Sequence, residues 1–261
     1  GINLSDARNR TGERSFFMKH FFYFGKTEGV KVNDSVSVKN VVPGSYVSYS
    51  SSIKDYWFVY ADKDPRSGFY NNVFKDTIET IDSMCVTNLE NSLSIQFFGK
   101  KINERIFYTN SIGYVFNKYE RDSVIMNHIT GAEFFSNKSS LIWGISGKYI
   151  FDGTNKGDYF CQGDIKRQFK KLFSLKIINT LKSAEYLHTK YSSNHFGWIN
   201  TFSKISETSA EFKISDEKGF FSLNYSKILN YVYFDSTILP RQNQNSIDFY
   251  SLSGQHELKF K

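Results

Sequence analysis

Between Leu141 and Asp152 the chain alternates. Leu141, Trp143, Ile145, Gly147, Tyr149 and Phe151 share one parity, and Ile142, Gly144, Ser146, Lys148, Ile150 and Asp152 share the other. A two-residue period puts successive side chains on opposite faces of an extended strand. Twelve residues is long for a half-buried strand of a small soluble domain, but suits a tilted crossing of a bilayer.

The pattern returns along the chain. A first strand is expected from Arg14 to Phe24, with Phe16, Met18, Phe22 and Phe24 on one face. A second runs from Tyr46 to Tyr60, where Val47, Tyr49, Ile53, Trp57 and Val59 alternate with Ser48, Ser50, Ser52 and Lys54. Leu93, Ile95 and Phe97 alternate with Ser92, Ser94 and Gln96, and Ile106, Tyr108, Ile112, Tyr114 and Phe116 alternate with polar or small residues. A weaker strand covers His128 to Phe135, and others cover 141–152, Tyr159 to Phe169 and Phe173 to Lys182. Strands over 194–205, 209–215, 220–233 and Ser246 to the terminus complete the set. Residues 1–12 form a polar lead-in, 26–44 a connection ending at Pro43-Gly44, and 62–80 a loop opening at Asp64-Pro65-Arg66-Ser67-Gly68.

About a dozen strands with mostly short connections implies antiparallel neighbours, since a parallel crossover needs about a dozen residues. Asp152-Gly153, Ser136-Asn137-Lys138 and Asp216-Glu217-Lys218-Gly219 sit where hairpins close. No helical period and no exact repeat is present. The expected architecture is all-β over residues 1–261, an antiparallel up-and-down transmembrane β-barrel that this chain leaves incomplete. Tyr56–Tyr60, Tyr149–Phe151 and Tyr231–Phe234 are expected to mark aromatic girdles. Alternation also fits a soluble sandwich or a lipocalin-like barrel. The sheet must close if it lies in lipid, because unpaired backbone groups there cost several kcal/mol each.

Composition narrows the choice. Phe (26) and Tyr (17) dominate a 40% hydrophobic chain, while Pro is rare (3). No apolar run has the length of a membrane helix, and a mean hydropathy of -0.43 fits strands that show lipid only alternate residues. The formal charge of +7 is scattered, with no basic run longer than Lys100-Lys101 or Lys170-Lys171, which argues against nucleic acid as a partner. Polar turns and contact with anionic lipid head groups account for it better. Cys85 and Cys161 make neither a metal spacing nor a disulfide framework, and whether they pair is left open. The chain begins Gly1-Ile2-Asn3 without a signal peptide, so a mature protein or an internal fragment is expected.

Catalytic constellations are lacking. His20, His128, His188, His195 and His256 are dispersed, and His188 and His195 have no carboxylate arrangement to make a metal site. Gly144-Ile145-Ser146-Gly147 lacks the glycine spacing and the strand-to-helix turn of a nucleophile elbow. No enzyme and no cofactor is expected; a membrane hydrolase would need a hydroxyl beside His128 or His195.

At three points the sequence resembles the putative porin family of Bacteroidetes outer membranes. These are Asn3-Leu4-Ser5-Asp6-Ala7 leading into Phe16-Phe17-Met18-Lys19-His20 and Gly25-Lys26; Asn194-His195-Phe196 with Trp198, Asn200 and Phe202; and Tyr233-Phe234-Asp235 with Pro240 and Gln242. The resemblance implies an outer-membrane channel without a cofactor and a longer parent, so an isolated chain would show an open, curved sheet. It carries over no site residues.

The expected function is therefore passive diffusion of small polar solutes through a water-filled lumen in outer-membrane lipid. Lys148, Lys166, Lys176, Lys182 and Lys213 are the expected pore-lining residues and suggest a mild anion preference, softened by Asp164 and Glu211. The rival is a surface or soluble β-sandwich with a binding or structural role. The solute, pore size, strand number and oligomeric state are not fixed by the sequence.

Overall fold

The computed structural model describes residues 7–24, 27–33, 36–41, 44–63, 72–99, 101–136 and 141–257. The turns expected at Pro43, 64–68 and 137–138, and the motif residues 3–6 and 25–26, lie outside them. The alternating segments become β1 (Arg8–Tyr23), β4 (Tyr46–Asp62), β5 (Thr80–Phe98), β6 (Asn103–Asn117), β7 (Glu120–Ser136), β8 (Leu141–Gly153), β9 (Tyr159–Gln168), β10 (Leu172–Lys182), β13 (Ile205–Asp216), β14 (Gly219–Leu229) and β17 (Ile247–His256). These form one 11-stranded sheet in the order β1-β4-β5-β6-β7-β8-β9-β10-β13-β14-β17, and every neighbouring pair is antiparallel.

Short elements fill the longer connections. β2 (Thr27–Asn33) and β3 (Val36–Val41) make a hairpin; α1 (Tyr186–Thr189), β11 (Lys190–Ser192) and β12 (Gly197–Ile199) follow β10; β15 (Val232–Phe234) and β16 (Pro240–Gln242) precede β17. The connections 63–79, 183–204 and 230–246 all leave one rim of the sheet. The opposite rim carries tight turns such as 169–171 and 217–218, together with the β2–β3 hairpin.

Several boundaries differ from the pattern-based expectation. β1 begins at Arg8, taking in part of the expected polar lead-in, because its polar N-terminal stretch pairs fully with β4 from Arg8↔Ala61 onward. β5 begins at Thr80 rather than near Ser92, and β7 at Glu120 rather than His128. In both cases the alternation fades: β7 carries Ile125, Ile129 and Phe135 on the face shared with Ser123 and Asn127. The connection 26–44 contains a hairpin, and most of 194–205 is not a strand of the sheet. Gly153 ends β8 at the expected turn with φ of 112°, a conformation that other L residues adopt only with strain.

Burial in this sheet is inverted. Leu93 is 53% exposed while its neighbour Ser94 is 4% exposed; Leu223 is 46% exposed beside Ser222 at 4%. Ser48, Asp82, Gln96, Asn127 and Ser222 are buried, whereas Ile53, Ile106, Met126, Ile145, Ile177 and Leu252 are exposed. The registers put the two sets on opposite faces, as in the row Ser50–Ser92–Thr109 against the row Tyr49–Leu93–Tyr108. This is the asymmetry of a sheet curved around its polar face, where side chains crowd on the inside and splay on the outside. Buried hydroxyls pair with one another there: Ser48 Oγ and Ser94 Oγ are 2.8 Å apart.

Tyrosines on the apolar face bond polar neighbours in a regular way. Tyr49 donates to Asn91 Oδ1 (2.8 Å), Tyr159 to Asn179 Oδ1 (2.7 Å) and Tyr225 to Asp248 Oδ1 (2.9 Å), and Tyr108 Oη lies 2.7 Å from His128 Nδ1. Rings that are oily on one side and hydrogen-bonded at the tip suit a lipid–water boundary. Of the expected girdle clusters, Tyr231–Phe234 instead falls in the connection 230–246, and the rings of Phe21, Tyr23, Tyr46 and Phe98 cluster on the polar face. Cys85 and Cys161 are free thiols on β5 and β9.

The two edges of the sheet, β1 and β17, run in the same direction, because nine alternating strands, an odd number, lie between them. They are unable to join each other as antiparallel neighbours, and the sheet is open.

Candidate functional site

The polar face carries the expected lysines. Lys148, Lys166, Lys176, Lys182 and Lys213 all fall on its parity, as the rows Ser146–Gln162, Lys148–Phe160 and Lys166–Ser174–Lys213 show. Lys166, Lys176 and Lys213 meet at one depression of about 360 Å³, with Asp164 and Glu211 beside them. Lys148 lies apart, its ammonium 5.9 Å from the Phe160 ring, and Lys182 stands at the end of β10 opposite Ile205.

Residues 183–204 form a strap that leaves β10, crosses the polar face at the long-loop rim and returns to β13. Its base is clipped by Asp158. That carboxylate accepts from Ser183 N (2.7 Å) and Ser183 Oγ (2.9 Å) at the start of the strap and from Lys204 Nζ (2.7 Å) at its end. Midway, Tyr186 Oη donates to Ser123 Oγ (3.0 Å), and Lys190 Nζ pairs with Glu120 Oε2 (3.1 Å), both on β7.

The tip reaches β5, five places along the sheet from β10. Asn194, fully buried, donates through its backbone N to Asp82 Oδ1 (2.8 Å) and through Nδ2 to Asp76 O (2.8 Å) and Thr80 Oγ1 (3.1 Å). Its Oδ1 accepts from Lys75 N (3.0 Å) and Asp76 N (2.9 Å), and its carbonyl accepts from Phe74 N (2.8 Å). His195, 5% exposed, sets Nε2 2.6 Å from Thr80 Oγ1 and Nδ1 2.8 Å from Asn72 O. One asparagine thus organises the segment 72–80 and fixes the strap to it, since an amide side chain supplies both donors and acceptors to match exposed backbone groups. Asp76 is held below the usual carboxylate range by the backbone N–H groups of Ile78 and Glu79, and burial pushes the Tyr191 phenol up, helped by the Asp82 charge.

The 230–246 connection locks onto the strap. Trp198 packs edge-on to Phe234 (5.9 Å between centroids) and tilted on Tyr191 (4.9 Å), and Phe234 lies 5.1 Å from His188. Gln242 accepts from Ser203 N (3.0 Å) and donates to Ser203 O (2.7 Å) and Asn230 O (2.9 Å). Asp235 receives Thr237 Oγ1 (2.6 Å), Arg241 Nε (3.0 Å) and Leu239 N (3.1 Å), and these partners hold its carboxyl far below the ordinary value. The second and third motifs of the sequence therefore build one unit over the mouth of the polar face. Asp82, Asp158 and Thr80, which anchor that unit, carry no signal in the alternation pattern; only the register brings them within reach of it.

A meander that covers its polar face and bares its apolar one has the build of a membrane-channel wall. Comparison with known families agrees: the family described as Putative porin matches residues 1–261, and the chain belongs to it. Membership implies an outer-membrane location and a class of proteins that transport rather than catalyse. No curated protein and no solved structure matches the chain.

Proposed function

We propose that this sheet is part of the wall of a transmembrane β-barrel that lets small polar solutes diffuse passively across the outer membrane. The observation that carries the reading is the inverted burial, with Leu93 and Leu223 bared and Ser94 and Ser222 covered. In water such a face would associate with itself; in lipid it is the expected exterior. Closure as an antiparallel barrel takes an odd number of further strands between β17 and β1, giving the even total that bacterial barrels use. The polar parity then lines a wet lumen, with Lys148, Lys166, Lys176, Lys182 and Lys213 on it. The strap 183–204 narrows the passage at the long-loop rim.

The full-length protein is expected to require detergent, to migrate heat-modifiably on gels and to swell liposomes loaded with small sugars. A protein that stays monomeric in plain buffer and swells no liposomes contradicts the reading. The lysine excess gives a mild anion preference, checked by the reversal potential in a potassium chloride gradient; a cation-selective potential removes that preference and leaves the channel.

A further inference from the structure

Five charged side chains at the depression on the polar face stand in two register rows. Lys166 and Lys213 both flank Ser174, while Asp164 and Glu211 both flank Lys176. The first row carries two positive charges and the second a net negative one. Residues directly opposite on antiparallel strands normally pair when their charges are opposite. Here they do not: no ammonium of the three lysines lies within 4.0 Å of either carboxylate, although six ion pairs form elsewhere among the described residues. Lys213 Nζ rests only over the Phe220 ring, 4.7 Å from its centroid. Gly144, opposite Asp164, leaves space for that carboxylate; a β-carbon there would lie 3.0 Å from Asp164 Oδ1.

Building on the channel reading, we propose that these rows form a binding subsite for zwitterionic solutes the length of a dipeptide. The solute carboxylate sits between Lys166 and Lys213, over the Ser174 hydroxyl, and its ammonium meets Asp164 or Glu211, the carboxylates on either side of Lys176. Geometry sets the length. Rows two residues apart on a strand are about 7 Å apart, and two residues of extended peptide span about 7 Å. The two lysines are rooted on strands two places apart, about 10 Å, which leaves room for a carboxylate between their ammonium groups. An anion alone would gain the first row but lose contact with the second, and a cation would meet the opposite imbalance.

The test uses dialanine, N-acetyl-dialanine and dialanine amide with the full-length protein, by titration calorimetry in detergent and by interruption of single-channel current. The expected result is that dialanine binds and interrupts current at least tenfold more strongly than either blocked analogue. Lys166→Gln with Lys213→Gln, and separately Asp164→Asn with Glu211→Gln, each weaken dialanine at least tenfold while heat-modifiable migration is unchanged. If a variant pair fails to assemble, the ranking of the three probes on the wild type decides alone. N-acetyl-dialanine binding as tightly as dialanine makes the depression a simple anion site and overturns the proposal, as does the absence of dialanine binding. Loss of conductance without any solute would instead sink the channel reading, and calorimetry would still decide the subsite.

Discussion

Two clusters of charge and hydrogen-bonding groups share the polar face and are treated in opposite ways. Around Asn194 the amide, the backbone N and the carbonyl all meet polypeptide partners, across 112 to 120 residues of sequence. At the depression between β9, β10 and β13, Lys176 stands directly between two carboxylates and pairs with neither. The first cluster is saturated and holds a segment in place. The second leaves its charges without ion-pair partners, Lys213 alone resting over an aromatic ring, that of Phe220 at 4.7 Å. The contrast separates structure from function on one surface: polar groups that fold the strap are consumed by it, and those available to a solute are the ones the fold leaves alone.

The sharpest way to break this contrast is Asn194→Ala. It removes four side-chain hydrogen bonds in a fully buried setting, a local cost of about 3 kcal/mol. Protease cleavage within 183–204 and a larger or noisier single-channel current are the expected outcomes, with heat-modifiable migration retained. An uncleaved strap and an unchanged current would show that Asn194 holds nothing. Asp158→Ala comes next, at about 2 kcal/mol, because it frees Ser183 and Lys204 at both ends of the strap. Hydrogen exchange there should rise without exposing the tip.

Substitutions in the unpaired rows should do the reverse. Lys176→Gln is expected to change thermal stability by no more than about 0.5 kcal/mol, while ion selectivity shifts toward cations. A large loss of stability would mean that the row is structural after all. The smallest effect concerns pH. Because the Asp235 carboxyl is held far below its ordinary value, the order it gives the 230–246 connection is complete above about pH 4 and fades only as pH falls toward its lowered value. Hydrogen exchange at Thr237 and Leu239 should therefore stay slow at pH 3.5, and Asp235→Asn should speed it at pH 7.

Parity along the chain was enough to read the all-β meander, the strands over 141–152 and 106–117, and the face on which each of the five lysines lies. It failed where both faces carry similar side chains. Thr80 to Asn91 sets Met84 and Val86 on the polar face and Ser83 and Thr87 on the other, so half of β5 was invisible. It misled over 194–205, where Phe196, Trp198 and Phe202 mimic a strand of the sheet, whereas the segment belongs to the strap and Trp198 packs against Phe234. Which lysines stand together depends on register, and register is set by pairing between strands. That is why Lys148 and Lys182 fall away from the other three. Asn194 was legible only as part of a motif, since its partners at Thr80 and Asp82 lie more than a hundred residues away.

The central claim is that the apolar face meets hydrocarbon and the polar face meets water. Nitroxide labels at Leu223→Cys and at Ser222→Cys, in a Cys85→Ser, Cys161→Ser background reconstituted in lipid, address it directly. The label at 223 should be reached by oxygen dissolved in the bilayer and shielded from a water-soluble nickel chelate, and the label at 222 should show the opposite. Equal shielding at both positions, as between two packed sheets, or free access of the chelate to position 223, would contradict the account.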